Sequence, residues 1–183
     1  MNQGLISRRY ASALWLYASN NGQEDRVYAE TKLLGSGFTR YSSLKRVLSN
    51  PILSRDKKLA VVTMIVEENI SHVLTNFLRL IFTNKREEFL QTICLCFETI
   101  YLKEKKILKA SLVTAAPVDS DMEQRIIQKI EKGTGHTIHL SAAVNPAILG
   151  GCIITVDTWR LDASVTTQLK RIKESLLETA INY

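Results

Sequence analysis

The chain has 183 residues, of which 45% are hydrophobic and 23% charged, and its formal net charge is +6 at pH 7. These are ordinary values for a globular protein of one or two domains, so they exclude a disordered chain. No apolar run approaches the about 20 residues of a membrane span. The positive charge by itself favours a nucleic-acid or membrane-surface protein.

The first part of the chain, up to about Lys105, has helical patterning throughout. A first helix over Leu5 to Asn20 is predicted with one apolar stripe, formed by Ile6, Tyr10, Ala13, Leu14 and Tyr17. Five more helices are predicted. The second runs from Gln23 into the thirties, with Gly35 and Gly37 loosening its end, and the third covers Ser43–Leu48. The fourth follows an N-cap at Ser54, the fifth covers Ser71–Thr83, and the sixth starts near Arg86. Their short links predict a compact six-helix bundle.

Two of these helices carry more apolar surface than one buried stripe requires. The fifth is apolar around nearly its whole circumference, and the first has a second stripe of Ala11, Trp15 and Ala18. An outer bundle helix needs only one such stripe, so both helices are either central or covered by a partner. The sequence leaves two readings open: burial within the bundle, or a groove that receives an amphipathic helix of another protein.

From about Ile107 the period changes to that of short strands. Strands are predicted over Leu108–Ala115, Thr137–Val144 and Cys152–Val156, with a turn at Gly150-Gly151 before the third. One intervening helix is expected to be capped by Asp119 or Ser120, to end at Gly133 and Gly135, and to face inward with Met122, Ile126, Ile127 and Ile130. A last helix places Val165, Leu169, Ile172 and Leu176 on one face. The predicted order is β-α-β-β-α, so the fold class is α+β, with domains at residues 1–105 and 106–183.

Catalytic and metal-binding patterns are weak in this sequence. No glycine-rich phosphate loop or nucleophile elbow is present, and the nearby aspartates are typical of turns and helix caps. The three cysteines have no framework spacing, which argues for buried thiols in a reducing compartment. We therefore assign no catalytic, cofactor-binding or metal-binding residue. An unrecognised small enzyme is the third hypothesis for this chain.

The excess charge lies in the helical part, where the first 105 residues hold 15 Lys/Arg against 10 Asp/Glu. Basic clusters such as Lys57-Lys58 and Lys85-Arg86 have acids beside them, which is typical of a solvated surface. A basic helical nucleic-acid-binding protein is the alternative hypothesis. The mixed charges instead favour polar surroundings for a protein-binding groove.

Several motifs together resemble the delta subunit family of bacterial F-type ATP synthases, the counterpart of the mitochondrial oligomycin-sensitivity-conferring protein. The N-terminal part of the pattern comprises Arg9-Tyr10-Ala11, Ala13-Leu14, Ala18, Asn50-Pro51 and Asn84-Lys85-Arg86. The C-terminal part, which is the most specific, comprises Asn145-Pro146, Ile148, Gly150-Gly151, Ile153, Val156, Asp162, Ser164-Val165 and Leu169. The resemblance extends from about Ile6 to Leu177, and it departs at Asp157, where members often have glycine or another small residue.

The resemblance implies a non-catalytic stator subunit without a cofactor. The helical domain would bind N-terminal helices of the alpha subunits of the synthase head, one of them between the first and fifth helices. The residues expected in that groove are Ala11, Leu14, Trp15, Leu74, Leu78 and Ile81. The C-terminal domain would join the b subunits of the peripheral stalk, with Val165, Leu169 and Leu176 as expected contacts and Gly150 and Gly151 as a structural turn.

The same resemblance implies a location. The absence of a presequence favours a bacterial cytoplasm, with the protein at the cytoplasmic face of the inner membrane. It would bind no nucleic acid, and it would associate with the membrane only through the synthase.

Overall fold

A computed structural model of the chain describes residues 3–66 and 70–181, apart from the side chains of Gln3 and of residues 175–181. The chain divides into two compact units between Glu104 and Lys105. The first is helical and the second contains a sheet, so the predicted α+β class is confirmed.

Six α-helices form the described part of the helical unit. They are α1 (Gln3–Asn20), α2 (Glu24–Arg40), α3 (Leu44–Leu48), α4 (Arg55–Ile65), α5 (His72–Thr83) and α6 (Leu90–Glu104). Helix α6 packs against both α1 and α2, and α4 packs against α5. The sixth helix begins later than predicted because a single 3-10 turn, Glu87–Phe89, precedes it.

Local capping explains where two of these helices begin. Ser54 accepts a hydrogen bond from the Lys57 amide, and Ser71 accepts one from the Leu74 amide. Each hydroxyl thereby satisfies an amide that has no partner within its helix. Ser71 also donates to the buried carboxylate of Glu30 in α2 over 2.6 Å, while its amide donates to the same carboxylate over 2.7 Å. The start of α5 is therefore attached to α2.

Helix α2 corrects one expectation. Gly35 and Gly37 were expected to loosen its end, yet both lie inside a helix that continues to Arg40. A Cβ atom at Gly37 would lie 2.6 Å from Cγ2 of Ile65, a residue of α4. The glycine therefore allows α2 and α4 to approach closely, and this packing offsets its low helix propensity.

The second unit contains a four-stranded sheet in the order β2-β1-β3-β4. Its elements are β1 (Ile107–Thr114), α7 (Ser120–Thr134), β2 (Thr137–Val144), β3 (Cys152–Val156), β4 (Trp159–Asp162) and α8 (Val165–Ile181). Strands β1 and β2 are parallel with α7 as their crossover, and the other two pairs are antiparallel. Asp119 caps α7, and Gly135 ends it at a φ of 67°.

Strand β4 was missing from the predicted β-α-β-β-α order, which the structure corrects to β-α-β-β-β-α. A two-residue turn, Asp157-Thr158, connects it to β3. Asp157 has a φ of 51°, the positive value that a two-residue hairpin needs at its first loop position. Aspartate tolerates this conformation better than most residues, so the hairpin forms where members of the resembled family often have a small residue. Glycine was the expected sign of such a turn.

One face of the sheet is apolar but only partly covered. The strand register places Ala110 and Leu112 on the same face as Ile154, Trp159 and Leu161. Helix α7 packs on β2, at the far side from β4. Trp159 and Leu161 consequently remain 81% and 62% exposed.

The apolar residues of the two helices in this unit remain partly accessible, which for α7 differs from the predicted inward face. In α7, Met122 is exposed, and the other predicted inward residues, Ile126, Ile127 and Ile130, are only half-buried. Helix α8 packs against the turn Pro146–Ile148, and the described residues of its predicted apolar face, Val165, Leu169 and Ile172, are exposed. In the described part of the chain, no helix combines the length and the apolarity that crossing a membrane requires.

Candidate partner-binding surfaces

Five of the six predicted groove residues are core residues. Ala11, Leu14, Leu74, Leu78 and Ile81 are each at most 1% exposed. Side chains with so little accessible surface stabilise the helical unit and offer nothing to a partner in this conformation. Ala11, Leu14 and Ala18 of α1 pack into the unit, in which α1 contacts α6, α2 and α5. Their assignment to a groove stays a prediction, and their burial favours the core alternative.

Trp15, the sixth predicted groove residue, lies on the α6 side of α1. It is half-buried, and its ring centroid lies 6.4 Å from that of Phe97 and 6.0 Å from that of Tyr101. Tyr101 in turn stacks on Tyr28 of α2 with 3.9 Å between ring centroids. Trp15 therefore belongs to an aromatic cluster that joins α1, α2 and α6.

A cleft does lie between α1 and α5, on the other face of α1. It has a volume of about 390 Å³ and is lined by Ile6, Arg9, Tyr10, Ala13, Leu80 and Arg86. We call it the α1–α5 cleft. Its apolar wall includes Leu80, which is 49% exposed. The α1 residues that line it belong mostly to the first predicted apolar stripe, which contains Ile6, Tyr10 and Ala13.

Two tyrosines of α1 connect this face to α5. Asn84 Nδ2 donates to the hydroxyl of Tyr10 over 3.2 Å, and Asn76 Nδ2 donates to that of Tyr17 over 3.3 Å. The ring of Tyr10 also meets Phe77 edge-on, with 6.4 Å between the centroids. These contacts hold α1 and α5 in antiparallel register along the cleft.

The sequence contained a signal that separates the two stripes of α1. The buried stripe consists mainly of small residues, including Ser7, Ala11 and Ala18, which let helices approach closely. The cleft stripe has tyrosines seven residues apart, and tyrosine usually keeps its hydroxyl at a polar boundary.

The predicted stalk contacts in the second unit are accessible. Val165 and Leu169 are 36% and 54% exposed, whereas the side chain of Leu176 lies outside the described residues. Sequence reasoning missed Trp159 and Leu161 because it did not predict β4. Their alternation with Arg160 and Asp162 was the available signal. Together with Ile172, these exposed residues form what we call the β4–α8 surface.

Gly150 and Gly151 form the turn that was predicted, but the two positions differ in how strictly they require a residue without a Cβ atom. Gly151 has a φ of 74°, and a Cβ atom there would overlap the carbonyl oxygen of Ala163. A Cβ atom at Gly150 would meet only the Val165 side chain, at 3.0 Å. The stricter need for glycine is therefore at Gly151.

Asp162 explains the start of α8. Its carboxylate accepts hydrogen bonds from the Ser164 hydroxyl over 2.7 Å and from the Ser164 amide over 3.0 Å. These bonds, with smaller contributions from Thr167 and Arg160, hold the pKa of Asp162 below its usual value. The hydrogen bonds within the motif Asp162, Ser164-Val165 thus hold the connection between the end of β4 and the start of α8.

Metal-ligand side chains and thiols are the remaining candidates for a functional site among the described residues. No group of three or more His, Cys, Asp or Glu side chains there is arranged to hold a metal ion. Cys94, Cys96 and Cys152 are free thiols, and burial raises the pKa of Cys94 to about 12. A thiol of that pKa remains protonated at neutral pH and acts as a small apolar core residue.

Known proteins provide an independent comparison. Residues 6–176 match the profile of the family described as ATP synthase delta (OSCP) subunit. The "ATP synthase subunit delta" of Parabacteroides distasonis is 37% identical over 178 residues, which cover 97% of this chain and 99% of that one. The protein of the same description from Bacteroides thetaiotaomicron is 38% identical over 184 residues, with 97% of each chain covered.

A solved structure agrees with these relatives. A chain in the cryo-EM structure of the Toxoplasma gondii mitochondrial ATP synthase hexamer matches with a TM-score of 0.64 and 26% identity, covering 94% of this chain and 97% of that one. The matches extend over both units and include the motifs at Arg9-Tyr10 and Gly150-Gly151. The chain therefore belongs to the ATP synthase delta (OSCP) subunit family.

Proposed function

We propose that this protein is the peripheral-stalk subunit that links the catalytic head of the F-type ATP synthase to the b subunits, so that the head resists rotor torque during synthesis. Its membership of the delta family supports this role. The subunit itself would be non-catalytic. It would lie at the cytoplasmic face of the bacterial inner membrane and be held there only through the complex.

The open α1–α5 cleft is the observation that carries the proposal for the head. An amphipathic helix at the N-terminus of an alpha subunit would place its apolar residues against Ile6, Ala13 and Leu80. The tyrosine–asparagine contacts along α1 and α5 preform the cleft, which lowers the entropic cost of binding. The helix would bind outside the aromatic cluster of Trp15.

We expect Leu80→Ala to weaken binding of an alpha N-terminal peptide by about 1 kcal/mol, roughly fivefold in Kd. The reason is that the exposed half of this side chain would be buried by the peptide. Isothermal titration of the full chain with the peptide measures the effect. Leu95→Ala is the matched control, because Leu95 is a 56% exposed leucine of α6 that lies outside the cleft. Equal losses in the two variants would place the peptide elsewhere.

The β4–α8 surface is the proposed contact for the b subunits. An exposed tryptophan and several exposed aliphatic residues on β4 and α8 are the kind of side chains that protein interfaces bury. The partly covered sheet and the open face of α8 would both be completed by a stalk helix. This assignment retains Val165 and Leu169 and adds Trp159, Leu161 and Ile172.

We expect Trp159→Ala to weaken binding of the C-terminal segment of the b subunits by at least tenfold, because buried tryptophans dominate interface energies. The melting temperature of the isolated protein should change little, since Trp159 is 81% exposed in it. Met122→Ala serves as a control, because Met122 is an exposed apolar residue of α7. If a pull-down titration shows that the Trp159→Ala variant binds the b-subunit segment with unchanged affinity, β4 lies outside the interface.

A further inference from the structure

We infer that the α1–α5 cleft selects a helix that carries an acidic side chain beside its apolar stripe, and that Arg9 and Arg86 bind that carboxylate. This inference rests on the proposed function and adds the chemistry of the partner helix.

The two helices that border the cleft contain no acidic residue. Helix α1 contributes Arg8 and Arg9, α5 contributes Arg79, and the link after α5 contributes Lys85 and Arg86. Acidic residues follow Arg86 at Glu87 and Glu88, but none lies on α1 or α5 themselves. An apolar cleft between two purely basic helices is complementary to an acidic amphipathic segment.

Neither Arg9 nor Arg86 is ion-paired with any residue whose side chain the structure describes. The neighbouring carboxylate of Glu87 is engaged by Lys58 Nζ at 2.7 Å. The guanidinium of Arg86 lies 5.8 Å from the ring centroid of Phe89, which limits its freedom. Two cations without an ion-pair partner among the described side chains thus line one cleft, and Arg86 is partly positioned by Phe89.

The composition of the cleft favours an acidic helix over a polyanion. Ile6, Ala13 and Leu80 form an apolar wall that a phosphate backbone would leave unused, whereas an amphipathic helix would bury it. Arginine binds a carboxylate through a fork of two N–H donors, which orients the partner as well as attracting it. The apolar wall would hold the helix, and the two arginines would set its register.

The test compares two synthetic peptides with the full-length protein by isothermal titration. One has the sequence of the alpha N-terminal helix, and the other has its Asp and Glu replaced by Asn and Gln. We expect the neutral peptide, and Arg9→Gln or Arg86→Gln with the native peptide, each to bind about fivefold more weakly. The double variant Arg9→Gln/Arg86→Gln should no longer distinguish the two peptides. Arg46→Gln, which changes an exposed arginine of α3 outside the cleft, should leave the affinity unchanged.

The outcomes separate this inference from the proposed function. If the two peptides bind equally well and Leu80→Ala weakens both, the cleft binds the helix and the role of the carboxylate is wrong. If neither peptide binds, the proposed function of the cleft fails as well. If a single-stranded DNA oligomer displaces the peptide and loses affinity in the same arginine variants, the face recognises phosphate and the inference is overturned.

Discussion

Gly151→Ala is expected to destabilise the C-terminal unit by roughly 2–5 kcal/mol. Two effects add at this position. A φ of 74° is unfavourable for a residue with a Cβ atom, and that atom would overlap the Ala163 carbonyl oxygen. The overlapping group is backbone, so it moves only if the link between β4 and α8 moves. Hydrogen exchange followed by mass spectrometry should show faster exchange over residues 107–162 and unchanged exchange in the helical unit.

Two other glycines provide controls for this prediction. Gly133→Ala in α7 should be neutral or stabilising by up to about 1 kcal/mol, because a Cβ atom there has open space and the residue is helical. Gly150→Ala should have a smaller effect than Gly151→Ala, since its contact is with the side chain of Val165. Similar exchange in the Gly151→Ala variant and the unmodified protein would show that the turn relaxes without cost.

Lys58→Met is expected to destabilise the helical unit by about 3–5 kcal/mol. Lys58 Nζ contacts Glu87 Oε1 at 2.7 Å, and the two side chains are only 7% and 10% exposed. Removing the lysine leaves the Glu87 carboxylate buried without its cation, and that cost exceeds the lost attraction. Urea unfolding monitored by the fluorescence of Trp15, which packs within the helical unit, measures the change.

The double variant Lys58→Met/Glu87→Leu tests this explanation. Replacing both charges with apolar groups removes the uncompensated carboxylate, so most of the lost stability should return. Lys57→Met is the matched control, because Lys57 is the exposed neighbour of Lys58 on α4. A double variant as unstable as Lys58→Met alone would mean that packing, and not charge, dominates at this site.

Helix positions could be predicted well because their signals are local. Ser54, Ser71 and Asp119 cap helices through hydrogen bonds that reach only three residues along the chain. Such signals are legible in a sequence without knowledge of the fold. The failure at Gly37 has the opposite origin, because the reason for that glycine is Ile65, a residue 28 positions further along.

The candidate surfaces were harder to predict because exposure depends on neighbouring elements. Both stripes of α1 have helical spacing, and only the position of α6 decides that Ala11 and Leu14 are core. Likewise, the apolar stripe of α8 fitted either a core or a contact surface until the structure showed Leu169 exposed. Strand β4 was missed because its alternation of apolar and polar residues covers only four positions, which is short for a strand signal.

The sequence by itself determined the class of fold, the capped helices, the family and the presence of surplus apolar surface on α1 and α5. These depend on residue types, short spacings and motif order, all of which are written in the chain. Only the tertiary structure decided which stripe faces solvent, where Arg9 and Arg86 meet a common cleft, and that Gly151 rather than Gly150 is constrained. Those features depend on atoms far apart in sequence, and packing alone brings such atoms together.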